Sequence, residues 1–137
     1  MASDAQELAG GCHCGAIRYA ATGPTYHATM CHCTICRGTT GAPAVAWFSV
    51  RAAGFRWTQG QPKSFRSSAE GTRTFCGDCG TALTFRRDGL DEVDVTSASL
   101  DRPEALPPED HTYARSRLPW MDGLGSLPQH ETTRPQG

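Results

Sequence analysis

The chain has 137 residues with a formal net charge of -1, 38% hydrophobic residues and 20% charged residues, the balance of one globular domain with a single core. No apolar run approaches the ~20 residues that a membrane helix needs, and the opening MASDAQELAGG has acidic residues and no apolar h-region, so no secretory signal is expected and the cytoplasm is the expected address. The positive residues are mostly arginines set singly, with Arg86-Arg87 the only adjacent pair, so no basic face for nucleic acid is expected.

In chain order, residues 1–10 read as a flexible N-terminus, 11–128 as a single domain and 129–137 as a flexible C-terminal tail. Short segments of strand character lie at 16–21, 25–30, 44–51, 55–58, 63–67, 73–75, 82–86 and 92–97, most of them separated by Gly or Pro. Alternation is clearest in Ile17/Tyr19/Ala21, Leu83/Phe85 and Val93/Val95, where one side of a strand faces a core and the other faces water. Before residue 100 no segment sustains a helical period, so the expected fold class is all-β. Six of the nine prolines follow residue 100, which predicts an extended, irregular C-terminal segment. Leu118, Trp120 and Met121 are its candidate anchors on the β core.

The outlying number is cysteine: seven, all in tight clusters. In a reducing compartment clustered thiols are more often metal ligands or redox centres than disulfides. The groups are Cys12-His13-Cys14, Cys31-His32-Cys33-Thr34-Ile35-Cys36 and Cys76-Gly77-Asp78-Cys79. A structural zinc site closes its tetrahedron with four protein ligands, whereas a catalytic one commonly has three and an exchangeable position. Cys76-Gly77-Asp78-Cys79-Gly80 is a turn-borne knuckle, and Cys12 and Cys14 have glycines on both flanks, so both outer groups can curl around one ion. Such a four-cysteine site would staple distant parts of the chain and stabilise the fold directly.

Cys31, Cys33 and Cys36 remain, a set of three that suits an open zinc site. A redox centre, or a closed site with a histidine as fourth ligand, stays open as an alternative reading of these three. His13 and His32 sit between cysteines and tend to point away from the flanking thiols in an extended chain. His27, His111 and His130 are isolated, and Trp47, Trp57 and Trp120 read as packing groups. Arg37, directly after Cys36, is the candidate for stabilising thiolate charge or meeting an anionic substrate.

Five ordered motifs carry a family resemblance: GCHCGAIRY at 11–19, CHCTICRGTTGA at 31–42, RTFCGDCGTALTF at 73–85, SLDRPEALPPEDH at 99–111 and RLPW at 117–120. They resemble the glutathione-dependent formaldehyde-activating enzymes, whose domain is shared with centromere protein V. The resemblance implies a β-tent of small antiparallel sheets stapled by zinc, with two zinc ions per chain. It implies a structural zinc on Cys12, Cys14, Cys76 and Cys79 and a catalytic zinc on Cys31, Cys33 and Cys36. It further implies a carbon-sulfur lyase reaction in which a small-molecule thiol, glutathione or an analogue, adds to formaldehyde or a similar small aldehyde. Gly38 and His13 depart from the family pattern without touching a ligand position. The competing expectation is a non-enzymatic zinc module that carries a thiol compound or binds a protein partner. A zinc-ribbon-like nucleic-acid binder is suggested by FCGDCG alone.

Overall fold

All eight segments with strand character form strands in the computed structural model, which describes residues 7–135. They are β2 (Arg18–Thr22), β3 (Tyr26–Cys31), β4 (Val45–Arg51), β5 (Phe55–Gln59), β6 (Lys63–Arg66), β7 (Gly71–Phe75), β8 (Ala82–Arg87) and β9 (Glu92–Thr96). Two more strands bracket them, β1 (Glu7–Gly11) and β10 (Asp110–Thr112), and one short helix, α1 (Thr34–Thr40), follows β3. The chain is therefore β-dominated, as its composition and alternation lead one to expect.

Residues 7–10, expected to belong to a loose terminus, pair instead as part of β1, with Leu8 opposite Ala21 and Gly10 opposite Tyr19. Residues 1–6 and 136–137, which the expected flexible ends include, lie outside the described residues. Helix α1 escaped the periodicity because its TICRGTT sequence has three β-branched threonines and a glycine, poor helix formers. It is held by its ends: Cys33 Sγ accepts the Cys36 N–H as an N-cap, and Gly41, in the left-handed conformation at φ 79°, closes the last turn onto the Arg37 carbonyl.

The strands form a three-stranded sheet in the order β1-β2-β5 and a seven-stranded sheet in the order β10-β3-β4-β9-β8-β7-β6. Pairing is antiparallel except between β10 and β3, where Thr112 lies beside Cys31. The sheets share one core: Tyr19 and Ala21 from the smaller, with Ile17 just before β2, meet Phe48, Val50, Leu83, Val93 and Val95 from the larger. Period-two alternation then fixes the opposite face of the large sheet. With Phe48 and Val50 in the core, Val45, Trp47 and Ser49 of β4 must point the other way. There Val45 and Trp47 pack with Cys31 and Cys36, so α1 lies over that second face.

After β9 the chain runs through short 3₁₀ turns at Pro103–Ala105, Ala114–Ser116 and Pro119–Ser126. Leu118 and Met121 are half-buried, but Trp120 is 56% exposed and does not anchor the segment. Residues 129–135 form no strand or helix and are exposed.

Candidate metal centres and the adjoining cavity

The structure gathers the seven thiols into two groups, Cys12/Cys14/Cys76/Cys79 and Cys31/Cys33/Cys36, and within each group all sulfurs lie within 4.8 Å of one another. Cys12 and Cys14 sit on the turn joining β1 to β2, and Cys76 and Cys79 on the turn joining β7 to β8. The first group thus brings a turn of the small sheet against a turn of the large one. Each turn is shaped by a glycine at positive φ, Gly15 at 84° and Gly80 at 86°, and the Gly80 N–H closes the knuckle onto the Cys76 carbonyl at 2.8 Å.

The sulfur spacing tests the fit to a metal. A tetrahedron of Zn–S bonds of about 2.3 Å has an edge of about 3.8 Å. The separations found are 3.6 Å for Cys12–Cys14, 3.8 Å for Cys14–Cys76 and 3.6 Å for Cys31–Cys36. Backbone N–H groups also aim at the sulfurs: Ile17 at Cys12 (3.2 Å), Asp78 and Cys79 at Cys76 (3.3 and 3.4 Å), and Cys36 at Cys33 (3.2 Å). Such donors stabilise the thiolate form that a metal ligand needs. Both groups are therefore able to hold a metal ion, and sulfur-only donor sets suit zinc.

Mutual charge among the sulfurs points the same way. The Cys36 S–H donates to Cys31, which draws the Cys31 thiol down to about 5 and pushes Cys36 up. Sulfurs this close resist joint ionisation, and a dication at their centre removes that penalty.

Beside the group of three opens a cavity of about 630 Å³, inside the range of about 300–1,000 Å³ for small-molecule sites. Its floor is the second face of the large sheet, taken every other residue along successive strands. Thr29 and Cys31 come from β3, Trp47 and Ser49 from β4, and Glu92 and Asp94 from β9. Phe85 and Arg87 of β8 and Gly71 and Arg73 of β7 complete it. Cys33, Ile35 and Cys36 supply one wall from the α1 region, and Thr112 and Tyr113 another. His27 (φ 55°) and Tyr113 (φ 53°) hold left-handed backbone, an unfavourable conformation for a side-chain-bearing residue, and both line this cavity.

Both signs of charge reach the cavity. Arg87 pairs with Glu70 at 3.2 Å, the Tyr26 hydroxyl donates to Glu92 at 2.9 Å, and Ser49 donates to Asp94 at 2.7 Å. Burial holds the Asp94 carboxyl above its ordinary range.

The cation that touches a sulfur of the trio is Arg73, whose Nη2 lies 3.6 Å from Cys36 Sγ. Arg37, the residue singled out by its place in sequence, instead donates from Nη1 to the Ser116 carbonyl at 2.5 Å and does not line the cavity. Its guanidinium secures the C-terminal segment to α1. Replacing Arg37 by alanine is expected to cost about 1.5–3 kcal/mol, the scale of a charged hydrogen bond. Hydrogen exchange should quicken over 114–126; unchanged protection there would show that the segment docks without this bond.

The histidines divide. His13 is exposed, its backbone N–H bonded to Thr81 Oγ1 at 3.0 Å. His32 is fully buried, its Nε2 2.8 Å from Nδ1 of His111, and its own Nδ1 has no hydrogen-bond partner. Burial and the neighbouring His111 depress its basicity, so the ring is held neutral. Neither His32 nor His111 belongs to the sulfur group.

The model of the glutathione-dependent formaldehyde-activating enzyme family matches residues 7–116. A protein of Halomonas elongata, provisionally named a glutathione-dependent formaldehyde-activating enzyme, is 30% identical over 125 residues, which cover 84% of this chain and 80% of the relative. The crystal structure of a Rhodobacter sphaeroides protein superposes with a TM-score of 0.61 at 25% identity, covering 77% of this chain and 100% of that one.

Proposed function

The chain belongs to the glutathione-dependent formaldehyde-activating enzyme family, and from that premise we propose that it joins a thiol such as glutathione to formaldehyde or a related small electrophile, a carbon-sulfur lyase running in the direction of synthesis. The observation that supports this reading most is the sulfur trio of Cys31, Cys33 and Cys36, which among the described residues gathers no fourth ligand and forms part of the cavity wall. Zinc held by these three cysteines would supply the Lewis acidity that keeps an incoming sulfur ionised near neutral pH.

The chain's own residues do the rest. Trp47, Phe85 and Ile35 give the cavity apolar walls that displace water from around the sulfurs. Glu92 and Asp94 offer carboxylates to an ammonium group, and Arg87 offers a guanidinium to a carboxylate, the two charged ends of a peptide thiol. In the net reaction the thiol sulfur adds to the aldehyde carbon and a C–S bond forms. The carbonyl π electrons move to oxygen, and the proton lost by the thiol ends on the new hydroxyl. Cys12, Cys14, Cys76 and Cys79 take a structural zinc on this reading.

The test must exceed the spontaneous reaction of thiols with formaldehyde. Exchange between free and hydroxymethylated glutathione, followed by magnetisation-transfer NMR, is expected to be faster with the protein than in buffer. A panel of thiols and aldehydes extends the measurement. Exchange no faster than in buffer for every pair would sink the enzymatic reading for those substrates.

No charge run of one sign marks a nucleic-acid face in the sequence, and no helix of the described residues is long and apolar enough to cross a membrane.

A further inference from the structure

Arg73 is a buried cation with an unusual set of neighbours. It is 9% exposed, its Nε donates to Ser67 Oγ at 2.9 Å, and its Nη2 reaches Cys36 Sγ at 3.6 Å. The guanidinium carbon lies 4.8 Å from the Phe85 ring centre and 5.8 Å from that of Trp47. Among the described residues no carboxylate forms an ion pair with it. A buried charge without a counter-ion is strongly disfavoured, and the aromatic faces offset part of that cost only. The anionic group within its reach is the sulfur trio.

Charge counting gives the arrangement a purpose. Three thiolates around a dication leave a formal charge of about -1, and a fourth, anionic sulfur takes it to about -2. At the four-cysteine group the same surplus is partly screened by water, because Cys14 and Cys79 lie at the surface. Within the trio Cys31 and Cys36 are buried, so the protein itself must supply compensation. Arg73 supplies one fixed positive charge, locked by Ser67 and the two rings, at the side of the trio that faces the cavity.

We propose that Arg73 is the counter-ion of the Cys31/Cys33/Cys36 centre, a positioning residue that sets the centre's preference for an anionic sulfur over a neutral donor as its fourth partner. This rests on the reading of the trio as an open metal site. It predicts selectivity by ligand charge, which a purely packing role would not produce. Removing the charge should weaken binding of a thiolate far more than binding of imidazole, which reaches the site as a neutral nitrogen donor.

Cobalt(II)-loaded protein makes this visible. The probes are 2-mercaptoethanol, neutral apart from its sulfur, and imidazole. Each is titrated against the absorption of the trio after subtraction of equally loaded Cys33→Ser protein, whose four-cysteine group is intact. Arg73→Met, which keeps the length and removes the charge, is expected to lose about tenfold or more in thiol affinity while imidazole affinity stays within about twofold. Arg73→Lys, which keeps the charge, should hold thiol affinity within about threefold. Equal loss of both ligands, or loss of neither, in Arg73→Met overturns the proposal. If Arg73→Met does not fold, the same ratio is read on Arg73→Gln and Arg73→Lys, and a lysine variant that folds yet loses both ligands equally also overturns it. A wild-type protein whose trio takes no cobalt, or whose cobalt spectrum ignores thiol, overturns the open-site reading and the proposal with it, a result distinct from a wild type that binds thiol through a centre indifferent to Arg73.

Discussion

Cys76→Ser is expected to leave little folded protein, with loss of the cooperative thermal transition and less than one zinc per chain by metal analysis. Cys76 is 1% exposed and belongs to the shared core, and its sulfur accepts the N–H groups of Asp78 and Cys79 while lying 3.8 Å from Cys14. Serine is somewhat smaller, gives a poor zinc ligand and leaves a hydroxyl among apolar neighbours. Metal binding by structural sites of this kind is worth about 10–16 kcal/mol, as large as the ~5–15 kcal/mol that separates a folded domain from its unfolded chain. Beyond the shared core, the polar contacts of the small sheet are weak and reach only the segment after β9: the Arg18–Asp101 pair, half open to solvent, and the Tyr19–Ser99 hydroxyl bond at 2.6 Å. They cannot replace the staple. A Cys76→Ser protein that melts like wild type and carries as much zinc would remove the structural role assigned to this group.

Most of the eight strands legible in sequence feed the shared core, as Ile17/Tyr19/Ala21 and Val93/Val95 do, whereas β6 is exposed throughout and β7 gives that core no residue. What alternation could not reveal are elements that exist through their partners. β1 reads ELAGG, with too little β-branched or aromatic content to announce a strand, and it forms because Gly10 lets the Tyr19 ring pass close beneath it. β10 has three residues and is defined by its parallel seat beside β3. The grouping of the sulfurs was legible because a thiol's neighbours in sequence constrain its geometry. Arg73 was not, since its place beside Cys36 depends on a strand register, Arg73 opposite Phe85, and on α1 lying over the sheet. A weak signal did exist: in GTRTF the arginine shares the phase of Gly71, the buried phase of the strand. The cavity floor was hidden for a similar reason. Its residues come from strands whose spatial order, β3-β4-β9-β8-β7, departs from chain order.

Cys33→Ser separates folding from chemistry. Cys33 is only half-buried, caps a seven-residue helix and belongs to neither buried set of core residues, so its loss should leave the thermal transition within a few degrees of wild type. Its N-cap role survives in part, because a serine hydroxyl accepts the Cys36 N–H as well as a sulfur does. Metal content should fall from two zinc ions per chain to one, the four-cysteine group keeping its own. Any acceleration of thiol–formaldehyde exchange should fall to the buffer rate, since two thiolates and a hydroxyl hold zinc too weakly to present an ionised sulfur. The three readings together discriminate. Lost metal with lost acceleration assigns the chemistry to the trio. Lost metal with undiminished acceleration would place the reaction elsewhere in the chain and leave the trio as a binding centre. Retained metal would mean that Cys31 and Cys36 hold the ion with help from a group outside the sulfur set, and His32 beside Cys33 would be the first residue to replace next.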